Sequence, residues 1–276
     1  MTTLAAPQNG RLALADWQSF ATLERAWTLS CIGYVALAAV CLAAQWFDAR
    51  LLDGVSVWSK PFKFALSLSV YFATLVWCWQ FVPQSIRRSL TGRWLVYLPT
   101  CVAFAEMAYI TVQGAQGEAS HFNYTTTIHA LAYSLMGFGA VTLVSILVWL
   151  AWLIGRHNPL SQPLIAATIV GLLLTFILGG GFGGYISLHG SHWVSAPHTD
   201  ANGSWLFNWT QQGGDLRVAH FFGMHAMQVI PAIALLLPRS WDSHVRLSLV
   251  VTFSTAYAAL CCMTFWQAID GQPFLA

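Results

Sequence analysis

Seven runs of about 20 mostly apolar residues, the length a helix needs to cross ~30 Å of hydrocarbon, recur along this chain. They cover residues 26–47, 61–81, 94–112, 127–154, 163–185, 218–237 and 245–266. Backbone polar groups in lipid must pair within their own segment, so each run is expected to be a helix. The fold class that follows is all-α: a polytopic bundle of about seven transmembrane helices. No internal repeat, low-complexity tract or long linker divides the chain, which reads as a single membrane domain over residues 1–276. Hydrophobic residues make up 57% of the positions and charged residues 8%, too little polar surface for a chain that must coat itself in water. The net charge of +2 points to neither nucleic acid nor an acidic partner.

Orientation follows from the short basic connections. Arg87, Arg88 and Arg93, then Arg156, then Arg239 and Arg246 fall in alternate loops, which the positive-inside rule places in the cytoplasm. With Arg11 and Arg25 ahead of the first span, the N-terminus is expected inside and the C-terminus outside. Residues 1–16 lack the apolar core of a cleavable leader, so the first span reads as retained, and residues 17–26 have an amphipathic, interfacial pattern. All six cysteines fall within spans, which implies no disulfide framework and a role as small apolar packing residues.

Chemistry is to be sought where polarity is hardest to tolerate. Glu106 stands in the middle of the third span, where an ionised carboxylate costs about 3 kcal/mol or more, so it must face the bundle interior. Tyr109 and Gln113 share its helix face and extend a polar stripe outward. The stripe reads either as a proton or ligand site or as a hydrogen-bonded staple between helices.

The histidines are unevenly distributed. His157 and His244 are expected inside, while His121, His129, His189, His192, His198, His220 and His225 all fall in the outer half or its loops. Imidazole titrates near neutral pH and is the commonest metal ligand, so His129, His220 and His225, with His121, are candidates for metal or haem coordination or for proton handling. The spacing is not diagnostic: no HExxH, histidine box or nucleophile elbow occurs. In the fifth span, five glycines among residues 179–184 allow tight helix packing, local unwinding or room for a flat ligand, with Gly180 and Gly183 as its candidate contacts.

Before the sixth span, Asp215 is a candidate N-cap, and Arg217 in the first turn opposes the helix dipole. Asp215, Glu118, Glu106 or an anionic ligand are its natural partners. Gln228 lies further along the same span, before Pro231. Lys60 and Lys63 flank a proline at the start of the second span; both can snorkel to head groups, and Lys63, one turn deeper, is within reach of the Glu106 side. The connection 187–217 is long enough to act as a lid or binding element outside the membrane.

The run from Lys60 to Phe64, the buried Glu106, the stretch Ser120, His121, Phe122, Asn123 and the run from Gly214 to Phe221 resemble those of a group of uncharacterised bacterial multi-pass membrane proteins. The resemblance implies an inner-membrane location with the polar site facing the periplasm, and it brings no activity. The residues themselves favour a redox protein holding haem b or a transition metal on two among His129, His220, His225 and His121, with Glu106 and Arg217 tuning charge and Asp215 beside them as a further candidate of the site. Lys63, Tyr109, Gln113, Asn123 and Gln228 complete the polar set, and membrane lipid, a quinone or another small apolar molecule are the expected partners. A proton-coupled small-molecule transporter built on Glu106 and a metal-dependent lipid hydrolase stay open, and whether the chain is an enzyme is undecided at this level.

Overall fold

The computed structural model describes residues 22–274. It is an all-α bundle in which seven spans are long and apolar enough to cross a membrane. In chain order the elements are α1 (Thr22–Phe47), a hairpin of β1 (Leu51–Leu52) and β2 (Val55–Ser56), α2 (Ser59–Trp79), the short α3 (Gln84–Arg87), α4 (Leu90–Gln116) and α5 (Thr127–His157). The fifth span is α6 (Pro163–Leu174), a π-helical turn (Thr175–Gly180) and α7 (Gly181–His189). Then come β3 (Trp193–Val194), β4 (Gly214–Asp215), α8 (Arg217–Leu236) and α9 (Ser243–Ile269). Every expected run coincides with one span to within about a turn, because hydropathy marks the apolar middle while the helix runs on toward its caps. Half of the segment expected at the interface, residues 17–21, lies outside the described residues together with residues 1–16, Arg11 among them, and its other half, residues 22–26, is the start of α1.

Caps set several helix ends. Ser89 and Thr126 accept from Gly92 N and His129 N at the starts of α4 and α5, and the left-handed Gly117 and Gly190 close α4 and α7. Asp215 does not stand at the N-cap of α8; Leu216 does. The carboxylate still serves the helix start, since Asp215 Oδ1 accepts from Arg217 N at 3.0 Å.

Two packed halves meet at the broken fifth span, and α5 belongs to the first. In the first, Trp27, Phe72, Leu75, Trp79, Leu95 and Leu147 are buried, with the Trp27 indole donating to Val96 O at 3.1 Å and lying edge-on to Trp79 at 5.0 Å. In the second, α6, α8 and α9 approach over small residues, among them Ala167, Ala226, Ala234 and Cys261. Outside, Phe47, Ile128, Phe138 and Leu236 are fully presented, the apolar exterior that a hydrocarbon solvent accepts and water does not.

Alternate connections lie at opposite ends. One end carries the β1–β2 hairpin, the α4–α5 turn, residues 190–216 and Phe274; it is called the cap here. The loop expected at 187–217 is shorter and ordered: α7 runs to His189, and β3 pairs antiparallel with β4. Asp200 N donates to Asp53 O at 2.7 Å and Trp209 meets Phe274 at 5.8 Å, so hairpin, loop and chain end close on one another. At the other end, where the arginine-rich connections lie, Arg87 Nη1 holds the buried Glu24 at 2.7 Å.

Candidate functional site

Three polar groupings occupy the bundle, and they are distinct. The first is in the cap. Arg217 enters from the first turn of α8 and forks onto two carboxylates: Nη1 and Nη2 meet Asp200 at 2.8 and 2.7 Å, and Nε and Nη2 meet Asp215 at 2.9 and 2.7 Å. Nη2 also donates to Asn208 O at 2.9 Å. Asp215 is fully buried and takes Thr210 N as well, which ties the loop to the helix start. His192 Nε2 lies 3.4 Å from Asp200. Burial alone would raise the Asp200 carboxyl, but hydrogen bonds from His192 and Arg217 and the guanidinium charge outweigh it and hold the group well below the usual carboxylate range. Burial lowers the His192 imidazole despite that acid. Arg217 thus takes Asp215, as the sequence suggested, together with Asp200, and neither Glu106 nor Glu118.

Lys63 does not reach Glu106. Its ammonium donates to Phe207 O at 2.8 Å and to the Asn208 side chain, because the loop folds over the start of α2 and offers oxygen atoms closer than the third span does. Asn208 adopts a left-handed backbone, φ 56°, which asparagine tolerates and which turns its amide toward Lys63 and Ser59.

The second grouping follows the polar stripe of α4. Tyr109 OH lies 3.2 Å and Gln113 Nε2 3.4 Å from His129 Nδ1, while His129 Nε2 lies 3.3 Å from Glu118. These partners assign the tautomer: Nδ1 accepts from the phenol and the amide, and Nε2–H donates to the carboxylate. One turn deeper, Glu106 presses against α5 where Gly139 stands; a β-carbon at 139 would overlap Glu106 Oε1. Tyr34 and Tyr71 are within electrostatic range of the carboxyl. Among the described residues no donor reaches Glu106 Oε1, although the atom is buried.

The third grouping lines α8. His220 Nδ1 meets Gly179 O at 2.8 Å, and a β-carbon at 183 would lie 2.9 Å from the His220 ring. A β-carbon at 179 would meet Met224 N at 2.9 Å, and one at 223 would meet Gly179 N at 2.6 Å. The glycines at 179 and 183 are therefore occupied by the crossing of α8, the tight-packing alternative, and the span stays helical through a π-helical turn over Thr175–Gly180. Gly180 faces only Val144. His225 packs on Phe221 at 4.4 Å, and Gln228 Nε2 bridges to Thr74 of α2 at 2.8 Å, while among the described residues its buried Oε1 has no donor.

Of the candidate ligands, His129 therefore belongs to the α4–α5 cluster and His220 and His225 to α8. His121 lies in the α4–α5 turn, its ring 5.4 Å from Phe64 and 5.9 Å from Tyr133. No group of three or more His, Cys, Asp or Glu side chains is placed to hold a metal ion among the described residues. Asn123 shapes that same turn by accepting from Thr125 and donating to Ala119 O. Sequence reasoning missed Asp200, Asn208 and Gly139, and counted His192 among the outer histidines without giving it a role. Asp200 carried a signal: it and Asp215 are the only acids between residues 190 and 216, directly before an arginine with a charge to balance. No family model, curated protein or solved structure matches this chain.

Proposed function

We propose that the protein is a proton-coupled transporter of a small molecule, with Glu106 as the group that takes up and releases the proton. The observation that carries this reading is the buried Glu106 Oε1 without a donor inside a seven-span bundle. A carboxyl in that setting has a small free-energy gap between accepting a proton and meeting a charged or hydrogen-bonding partner. Support comes from the groups leading to it: Glu118, His129 and Tyr109 are hydrogen-bonded in sequence from the cap, and Tyr109 lies one turn from Glu106 on the same helix face. In this reading the arginine-rich end faces the cytoplasm of a bacterial inner membrane and the cap faces the periplasm.

Reconstitution into liposomes loaded with a pH-sensitive dye, under an imposed pH gradient with the potential clamped, tests it. Wild-type protein conducts protons; Glu106→Gln, nearly isosteric, abolishes the flux without lowering the melting temperature, and His129→Phe slows it. Equal flux through wild type and Glu106→Gln removes the carboxyl from the mechanism.

A second reading, cofactor binding for redox chemistry, is favoured by one observation. His220 Nδ1 donates to a backbone carbonyl, the arrangement that orients an imidazole for ligation through Nε2. Purified protein with a Soret band or stoichiometric metal, lost in His220→Ala, supports this reading; a colourless, metal-free preparation removes it.

A further inference from the structure

The start of α2 concentrates positive charge that forms no ion pair among the described residues. Lys60 and Lys63 stand in its first two turns, no acid stands in the first turn, and no side chain caps its amides. A cation at a helix N-terminus opposes the dipole. The two carboxylates nearest in function, Asp200 and Asp215, are both committed to Arg217. Lys63 finds only neutral oxygens, a carbonyl and an amide. Lys60 forms no ion pair among the described residues; its ammonium is 6.0 Å from the centre of the Phe64 ring, with Asp53 and Asp200 in electrostatic range but not in contact. The same Phe64 ring carries His121 at 5.4 Å. Ser120 Oγ meets His121 Nδ1 at 3.1 Å, and among the described residues Nε2 has no hydrogen-bond partner. Lys60 and His121 are each only partly exposed, so both give up some hydration for little return.

We infer that Lys60 and His121, over the Phe64 ring at the mouth of the bundle, bind an oxyanion, a phosphate or carboxylate group. The ammonium supplies the charge, the imidazole supplies a hydrogen bond from Nε2–H, and the first-turn amides of α2 add their dipole. Phe64, Phe122 and Tyr133 form an aromatic bed around His121 on which an apolar part of the ligand can lie. The group can belong to a lipid head or to a soluble molecule, and the chemistry of recognition is the same. The inference does not depend on Glu106 carrying protons.

The test is thermal unfolding of the full-length protein in neutral detergent at constant ionic strength set with chloride, titrated separately with inorganic phosphate, acetate and phosphatidylglycerol. Saturable stabilisation of wild type is expected, with the apparent affinity falling about tenfold or more in Lys60→Met. Without ligand, Lys60→Met is expected to melt no lower than wild type, since it removes an unpaired cation. His121→Phe keeps both lysines and is also expected to weaken binding, which preserves the test if the lysine variant does not fold. Stabilisation by phosphatidylglycerol alone identifies a lipid head group, and stabilisation by inorganic phosphate or acetate identifies a soluble anion. A wild-type melt indifferent to all three, or equal affinities in wild type and both variants, overturns the inference.

Discussion

Replacing Arg217 with methionine removes five hydrogen bonds at once and keeps the aliphatic stem. Four of them end on carboxylates, and the side chains left behind are hardly accessible: Asp215 at 0% and Asp200 at 11%. Breaking a buried ion pair from one side costs about 3–5 kcal/mol, because a charge is stranded without water. The Arg217 side chain keeps 25% exposure, which puts the expected loss for Arg217→Met near the lower figure, about 3 kcal/mol. Arg217→Lys keeps the charge but cannot fork onto two carboxylates, and should lose about 1.5–3 kcal/mol. The triple variant Arg217→Met, Asp200→Asn, Asp215→Asn strands no charge and should recover most of the loss. Equilibrium unfolding in mixed micelles, followed by tryptophan fluorescence, is a suitable assay, since Trp193 and Trp209 lie in the cap beside these residues. A single variant within about 1 kcal/mol of wild type, the range of an exposed pair, or a triple variant less stable than the single one, would refute the reasoning.

Gly179→Ala forces a methyl to within 2.9 Å of the Met224 backbone nitrogen and should cost about 1–3 kcal/mol, whereas Gly181→Ala, with nothing within 4 Å, should be neutral or stabilising by up to about 1 kcal/mol. Both are read from the same unfolding curves, and equal effects would dissociate the glycine run from the α8 crossing. Acidification should destabilise the cap: burial holds His121 and His192 below the ordinary imidazole range, so the unfolded chain binds a proton at a higher pH than the folded one does. The contribution is complete above about pH 6.5 and declines below it by at most about 1.4 kcal/mol per pH unit for each imidazole. Asp200, held below its ordinary range, adds a loss of the same sign at still lower pH, as its carboxylate is finally protonated. Melting temperatures between pH 8 and 5 check the sign, and the slope should flatten in His121→Asn, His192→Asn; a melting temperature that rises on acidification contradicts it.

The spans were legible because lipid imposes a length and a polarity on every helix that crosses it, and residues 127–154 or 163–185 satisfy both without reference to any neighbour. What a neighbour decides was not legible. Glu106 announced itself by its cost, but Gly139, which makes room for it, lies 33 positions away on another helix and looks like any small residue in a span. Arg217 announced a debt of charge, and Asp215 was the obvious creditor; Asp200 joined through a fold of the loop that no periodicity encodes. The fifth span shows the same limit within one element. Five glycines permit several structures, and the crossing of α8 at Gly179 and Gly223 selects one of them.

The two acidic centres differ in a way that bears on function. Hydrogen bonds from His192 and Arg217 and the guanidinium charge hold the Asp200 carboxyl well below the usual carboxylate range, and Arg217 ties it together with Asp215 in one arrangement of the cap. Glu106 has no such grip. Among the described residues no donor reaches its buried Oε1, and Tyr109, on its helix face, is hydrogen-bonded through His129 of α5 to Glu118 at the cap. Under the proposed function, stability rests on the cap and protonation on Glu106, so a variant can lose one without the other. Arg217→Met should therefore loosen the protein while leaving proton flux through folded molecules intact, and Glu106→Gln should do the reverse; a single variant that abolished both would show that the two centres act as one.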